Sequence, residues 1–122
     1  MNIIISNTSD LPIYEQIKNQ IKNLIITGDL KEDQALPGMR SLAKDLRVSV
    51  ITTKRAYNDL EQEGYIYTLA GRGSFVKKLN SDLIREEKLC EIENKLNSAI
   101  EIASSCGVDL DELINMLKIL WR

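Results

Sequence analysis

The chain has no histidine, two cysteines, two prolines, one tryptophan and one phenylalanine among its 122 residues. Without an imidazole it lacks the usual general base near neutral pH and the partner that activates a serine or cysteine nucleophile. A phosphate-cradling GxxxxGKS/T run is also missing, and the acidic residues are spread along helical solvent faces, where they read as solubilising charge. No enzymatic activity, cofactor or metal is therefore expected. Cys90 and Cys106 fall within one helical stretch without metal-ligand spacing, so they are expected to be reduced, partly buried thiols and not a disulfide. Nothing approaches the roughly 18 apolar residues of a membrane span. The opening MNIII lacks the cationic and apolar regions of a leader. A cytoplasmic location is the expectation, and no internal repeat or low-complexity tract interrupts the chain.

What is present suits one compact domain with a small appendage: 43% apolar and 28% charged residues, enough to bury a core. The net charge of -2 conceals a division. Residues 1–36 carry three Lys against five Asp/Glu, residues 37–78 carry eight Lys/Arg against four, and residues 79–122 carry five against nine. Only the middle third is basic.

Punctuation along the chain predicts the elements. Asp10 can cap a helix that tolerates Pro12 at its start and closes at Gly28; Tyr14, Ile17, Ile21, Leu24 and Ile25 recur on one face of it. After the loop GDLKEDQALPG, a short helix places Met39, Leu42, Ala43 and Leu46 inward and Arg40, Lys44 and Arg47 outward. Ser49 is a natural cap for a third helix that buries Thr53, Ala56, Tyr57 and Leu60. At about 100° per residue, this leaves Ile51, Lys54, Arg55 and Asn58 on the opposite side. Gly64 ends it. Tyr65–Leu69 and Ser74–Val76 flank Ala70-Gly71-Arg72-Gly73 and read as a hairpin with a cation at its tip.

Val50, Ile51, Thr52 and Thr53 are poor helix formers opening a helix. That choice is explained if contact chemistry matters there more than propensity. Two short helices joined by a tight turn, the second capped and polar outside, followed by a hairpin, form the layout of a winged helix-turn-helix, whose second helix enters the major groove by its first turn. There Thr52 would bond a base edge or phosphate, the methyls of Val50 and Ile51 would meet thymine methyls, and Lys54 and Arg55 would reach phosphates or guanine.

From Ser81 to about Ser105 the residues Leu89, Ile92, Leu96, Ala99, Ala103 and Cys106 form a narrow seam at steps of three and four. Asp109 with Glu112 makes a capping box for a last helix striped by Leu110, Leu113, Ile114, Leu117 and Leu120. A helix of about 25 residues spans roughly 37 Å, so something beyond a small three-helix head must cover its seam. The fold class expected is mainly α with a small β-hairpin wing. It comprises a winged helix-turn-helix over residues 1–78 and a two-helix dimerisation tail over residues 79–122.

The segments LPIYEQIKNQIKNLIITGDL, LPGMRSLAKDLRVSVITTKRAYNDLEQEGYI and GRGSFV resemble the GntR-type winged-helix repressors over residues 11–77, and the short two-helix tail is most similar to the YtrA subfamily. The resemblance implies a homodimeric transcription regulator, a repressor on a pseudo-palindromic operator of double-stranded DNA, and control of a transporter operon. By motif position it implies DNA contacts from Arg40, Ser49, Val50, Ile51, Thr52, Lys54, Arg55, Gly71 and Arg72. The tail would supply the dimer interface through Leu89, Ile92, Leu96, Ala99, Ala103, Leu113, Leu117 and Leu120. Because two tail helices enclose no private pocket, a small-molecule effector would sit between subunits, with Tyr14, Trp121 and the tail leucines as candidates. Some positions depart from the pattern. Gly38 replaces a common serine, Arg47 the usual turn glycine, and Val50-Ile51 occupy positions polar or basic in many relatives. Lys54 for arginine keeps charge and loses bidentate geometry. The rival expectation is a winged-helix adaptor that binds proteins and not DNA. Only the DNA reading requires Arg40, Lys54, Arg55 and Arg72 on one surface.

Overall fold

A computed structural model describes residues 1–122, which form two compact units, Met1–Leu79 and Asn80–Arg122. In the first, α1 (Ile13–Ile26), α2 (Met39–Leu46) and α3 (Val50–Gln62) precede a hairpin of β1 (Ile66–Leu69) and β2 (Gly73–Val76). The helix periodicity lands as expected: Ile17, Ile21 and Ile25 of α1 meet Ala56, Tyr57 and Leu60 of α3 in one apolar cluster, closed by Leu42, Tyr65, Ile66 and Val76. Thr53 is fully buried yet satisfied, since its Oγ1 donates to the carbonyls of Met39 and Val50 at 3.0 and 2.9 Å. The first of these bonds fastens α3 to the start of α2.

The ends of the helices follow local chemistry, with one correction. Asp10 does not cap α1; Pro12 occupies the N-cap position with φ -55°, and Ser9 Oγ takes the preceding Leu11 N–H instead. Glycines at positive φ follow α1, α3 and α4, but α2 ends on Arg47 at φ 57°, ψ 44°, in the left-handed region that disfavours a Cβ. The next amide, Val48 N–H, returns to the Ala43 carbonyl at 3.0 Å, which satisfies an orphan acceptor at the helix end.

The hairpin is antiparallel, with Ile66 opposite Val76 and Leu69 opposite Gly73. Part of the segment read as a plain loop adds to it: Ala35 bridges Phe75, and Leu36 N–H reaches the Ser74 carbonyl at 2.9 Å. Those bonds occupy backbone groups that the free side of β2 would otherwise leave unpaired. Ahead of α1, residues 3–6 are strapped down by two glutamine amides one turn apart. Gln20 bonds both the N–H and the carbonyl of Ile4, and Gln16 does the same for Ser6. Ile3 is thereby held in the core at 8% exposure.

The second unit is α4 (Ser81–Ser105) and α5 (Leu110–Leu120). Asn80 caps α4 through the N–H groups of Asp82 and Leu83, and Asp109 caps α5 through Glu112 N–H at 2.9 Å. Within this unit Leu96, Ala99, Ile100, Leu113 and Leu117 help to line an apolar trough of about 390 Å³. Leu89, Ile92, Leu96 and Ile114 are all 40–53% exposed, and Leu110, Leu120 and Trp121 more so, while Ala103 is already covered within the chain. No residue of α5 is buried. The cysteines correct the sequence reading: Cys90 and Cys106 are both exposed thiols and not partly buried ones, Cys106 because the seam it belongs to lies open and Cys90 because it lies off that seam.

Candidate nucleic-acid interface

The candidate surface is built around the junction of α2 and α3. Ser49 Oγ accepts the Thr52 N–H at 3.2 Å and lies 2.8 Å from Thr52 Oγ1, so the first turn of α3 is held in a defined shape despite its β-branched residues. Val50 and Ile51 project outward, the latter 80% exposed. Lys54 stands exposed one turn on, and Arg40 is exposed at the second residue of α2. The Thr53–Met39 bond keeps these two helix starts together. Gly71 and Arg72 form the exposed turn between β1 and β2, closed by Arg72 N–H to the Leu69 carbonyl at 2.9 Å.

Charge along α3 is sorted by end. At its C-terminal end, Asp59 and Glu63 face Lys18 and Lys22 of α1, with Lys18 Nζ 3.3 Å from Glu63 and 3.9 Å from Asp59. Burial pushes the Glu63 carboxyl up, but the hydrogen bond and charge of Lys22, joined by Lys18, outweigh it and hold the group below its ordinary value. Lys22 also lies over the Tyr65 ring at 5.0 Å. Elsewhere Arg40, Lys44 and Arg47 at α2, Lys54 one turn into α3 and Arg72 at the hairpin turn make no ion pair, so their charge remains available to an outside anion. Internal neutralisation of the acids leaves the unpaired cations to set the local potential.

Arg55 is the exception among the candidate cations, and sequence reasoning missed its partner. Its guanidinium lies 3.8 Å from the centroid of the Tyr14 ring and donates to Tyr14 Oη at 3.1 Å. A stacked, bonded guanidinium is pre-aligned and loses little entropy when it meets a phosphate. The signal was faint: Tyr14 sits at the edge of the α1 apolar stripe, half-buried, where an aromatic residue belongs as well to the core as to the surface. At the wing, Tyr67 stacks on Phe75 at 5.5 Å and its hydroxyl donates to Asp33 at 2.7 Å, which raises the phenol above its ordinary value. These contacts stiffen the hairpin that carries Arg72. No cluster of metal-ligating side chains accompanies the site, and no helix is long and apolar enough to cross a membrane.

Comparison with known proteins bears on this geometry. Residues 13–76 match the family described as bacterial regulatory proteins, gntR family. The HTH-type transcriptional repressor YtrA of Bacillus subtilis is 37% identical over 116 residues, spanning 95% of this chain and 89% of that protein. A solved transcriptional antiterminator from Listeria monocytogenes EGD-e superposes with a TM-score of 0.75 at 31% identity, over 97% of this chain and 88% of its own. The DNA-binding domain of AraR, solved in complex with operator ORX1, gives a TM-score of 0.56 at 30% identity, over 62% of this chain and 95% of that one.

Proposed function

Because the chain belongs to the gntR family of bacterial regulatory proteins it is a DNA-binding transcriptional regulator, and we propose that it acts as a homodimeric repressor on a pseudo-palindromic operator. In this reading the first turn of α3 lies in the major groove, where Ser49, Val50, Ile51, Thr52, Lys54 and Arg55 face the duplex and Arg40 flanks them. The hairpin tip, Gly71 and Arg72, reaches toward the minor groove. The observation that carries the reading is the sorting of charge: the α1 lysines Lys18 and Lys22 pair with Asp59 and Glu63, while Arg40, Lys54 and Arg72 keep unpaired cations. A polyanion is the partner that such a face suits, since each phosphate neutralised releases condensed counterions.

The tail is the proposed dimerisation module. Leu89, Ile92, Leu96, Leu117 and Leu120 remain open in the single chain, Leu113 and Ala99 half-open, and Ala103 lies at the covered end of the row. A second copy is the economical cover, because a two-fold protein presents two recognition helices to a two-fold operator. The trough of about 390 Å³ is then the place for a small-molecule effector, at the interface between subunits. The relation to the Bacillus subtilis repressor supports repression as the sign of regulation. The YtrA-type pattern extends the proposal to a transporter operon, and DNA as partner places the protein in the cytoplasm.

Fluorescence anisotropy with duplexes from the region upstream of its own gene tests this. Binding is expected to weaken linearly in log affinity against log salt, with Lys54→Ala and Arg72→Ala each reducing the slope by about one. Absent or salt-independent binding would overturn the proposal and leave the protein-binding adaptor in its place.

A further inference from the structure

The first turn of α3 is unusual for a surface facing a polyanion. Its two outermost side chains are hydrocarbons, Ile51 at 80% and Val50 at 42% exposure. Neither belongs to the core cluster of this unit. The hydroxyls beside them are engaged with one another, since Ser49 Oγ lies 2.8 Å from Thr52 Oγ1 while also accepting the Thr52 N–H. One turn on, the Arg55 guanidinium is drawn over Tyr14. Between the cap and Lys54 the helix therefore offers methyl and methylene groups where donors and acceptors would be expected. An isoleucine this open adds nothing to the fold, and gains free energy only when a partner covers it.

Resting on the reading that this turn enters the major groove, we infer that Ile51, flanked by Val50, selects thymine in the operator half-site by covering its C5-methyl group. The floor of the major groove carries one methyl group, that of thymine; the purines present acceptors and an amino donor there, and cytosine an amino donor beside a bare C5–H. Guanine, adenine or cytosine opposite Ile51 would have a polar edge stripped of water with nothing to bond it, which is unfavourable. Attraction to one base and penalty against the others act in the same direction. Covering one methyl corresponds to about a fourfold gain in affinity. Discrimination against a polar edge adds to this.

The test begins with selection of bound sequences from random duplexes by the full-length protein, followed by replacing each selected thymine, one at a time, with deoxyuridine. This swap deletes only the methyl and leaves base pairing intact. At one thymine per half-site the wild-type protein is expected to lose about fourfold in affinity, while Ile51→Ala binds the thymine and uracil duplexes equally. Ile51→Ala should melt as the wild type does, the residue being exposed. Equal wild-type binding to thymine and uracil at every position, or an undiminished methyl effect in Ile51→Ala, overturns the inference while salt-dependent binding survives. Failure to enrich any sequence removes the DNA reading beneath it, and the two failures are told apart by that survival.

Discussion

Leu96→Asp puts the dimer proposal to its severest test. Leu96 is 46% exposed in the single chain and borders the apolar trough with Leu113 and Leu117. Fully burying a leucine is worth about 1.5–3 kcal/mol. With nearly half the side chain still open, association stands to gain roughly 1 kcal/mol from it per chain. The aspartate forfeits that gain and adds an unpaired charge to an apolar contact, at about 3–5 kcal/mol. Isologous symmetry repeats both terms. Even after allowance for the carboxylate turning toward water, the loss is on the order of 6 kcal/mol, or about four decades in dissociation constant. Sedimentation velocity at micromolar protein is expected to find a dimer for the wild type and a monomer for Leu96→Asp. The core of the first unit, which contains no tail residue, should unfold in the same temperature range in both. Operator affinity should fall with the dimer, since the two half-sites are no longer engaged together. A Leu96→Asp protein that sediments as a dimer at the wild-type concentration would refute the assignment of this face.

Other outcomes follow from individual contacts. Arg47→Gly relieves a left-handed backbone at a side-chain-bearing residue and is expected to raise stability by about 1 kcal/mol, read as a higher urea midpoint at unchanged slope; a lower midpoint would show that Arg47 contributes contacts that outweigh its strain. A double-mutant cycle between Tyr14→Ala and Arg55→Ala should return a coupling of about 0.5–1 kcal/mol in thermal stability, and additive losses would dissolve the pair. The depressed Glu63 carboxyl means that its contribution is complete above its ordinary value of 4.5 and is lost as pH falls through the lower folded value. Glu63→Gln should accordingly flatten the acid limb of a stability profile below about pH 4.5, and an unchanged limb would assign acid unfolding to other groups.

Much of the architecture was legible because boundaries carry local chemistry. Ser49 and Asp109 cap the helices their sequence context announces, and α4 begins at Ser81 behind the Asn80 cap and ends just ahead of Gly107. The buried face of α3, Thr53, Ala56, Tyr57 and Leu60, is a matter of helical period alone. What escaped depends on residues far apart in the chain. The hold of Tyr14 on Arg55 spans 41 positions, and Ala35 meets Phe75 only once the hairpin has folded back. Asp10 does not cap α1 because the N-cap position falls on Pro12, two residues further on. Position in a motif could name the surface of α3 but not its internal commitments. The Ser49–Thr52 hydroxyl pair and the guanidinium stacked on Tyr14 leave Ile51, 80% exposed, standing beside Lys54 on that face.

The two glutamines that grip residues 4 and 6 have a practical corollary for anyone handling this protein. Trimming residues 1–8 would remove four hydrogen bonds at once and leave the amide of Gln16, only 8% exposed, with the Leu11 carbonyl as its remaining partner. Isoleucine side chains sealed by Ile3 would become wet, and the trimmed polypeptide should stick to itself or to vessel walls. An affinity handle joined directly to this end should be separated from Ile3 by a spacer long enough to leave that grip undisturbed.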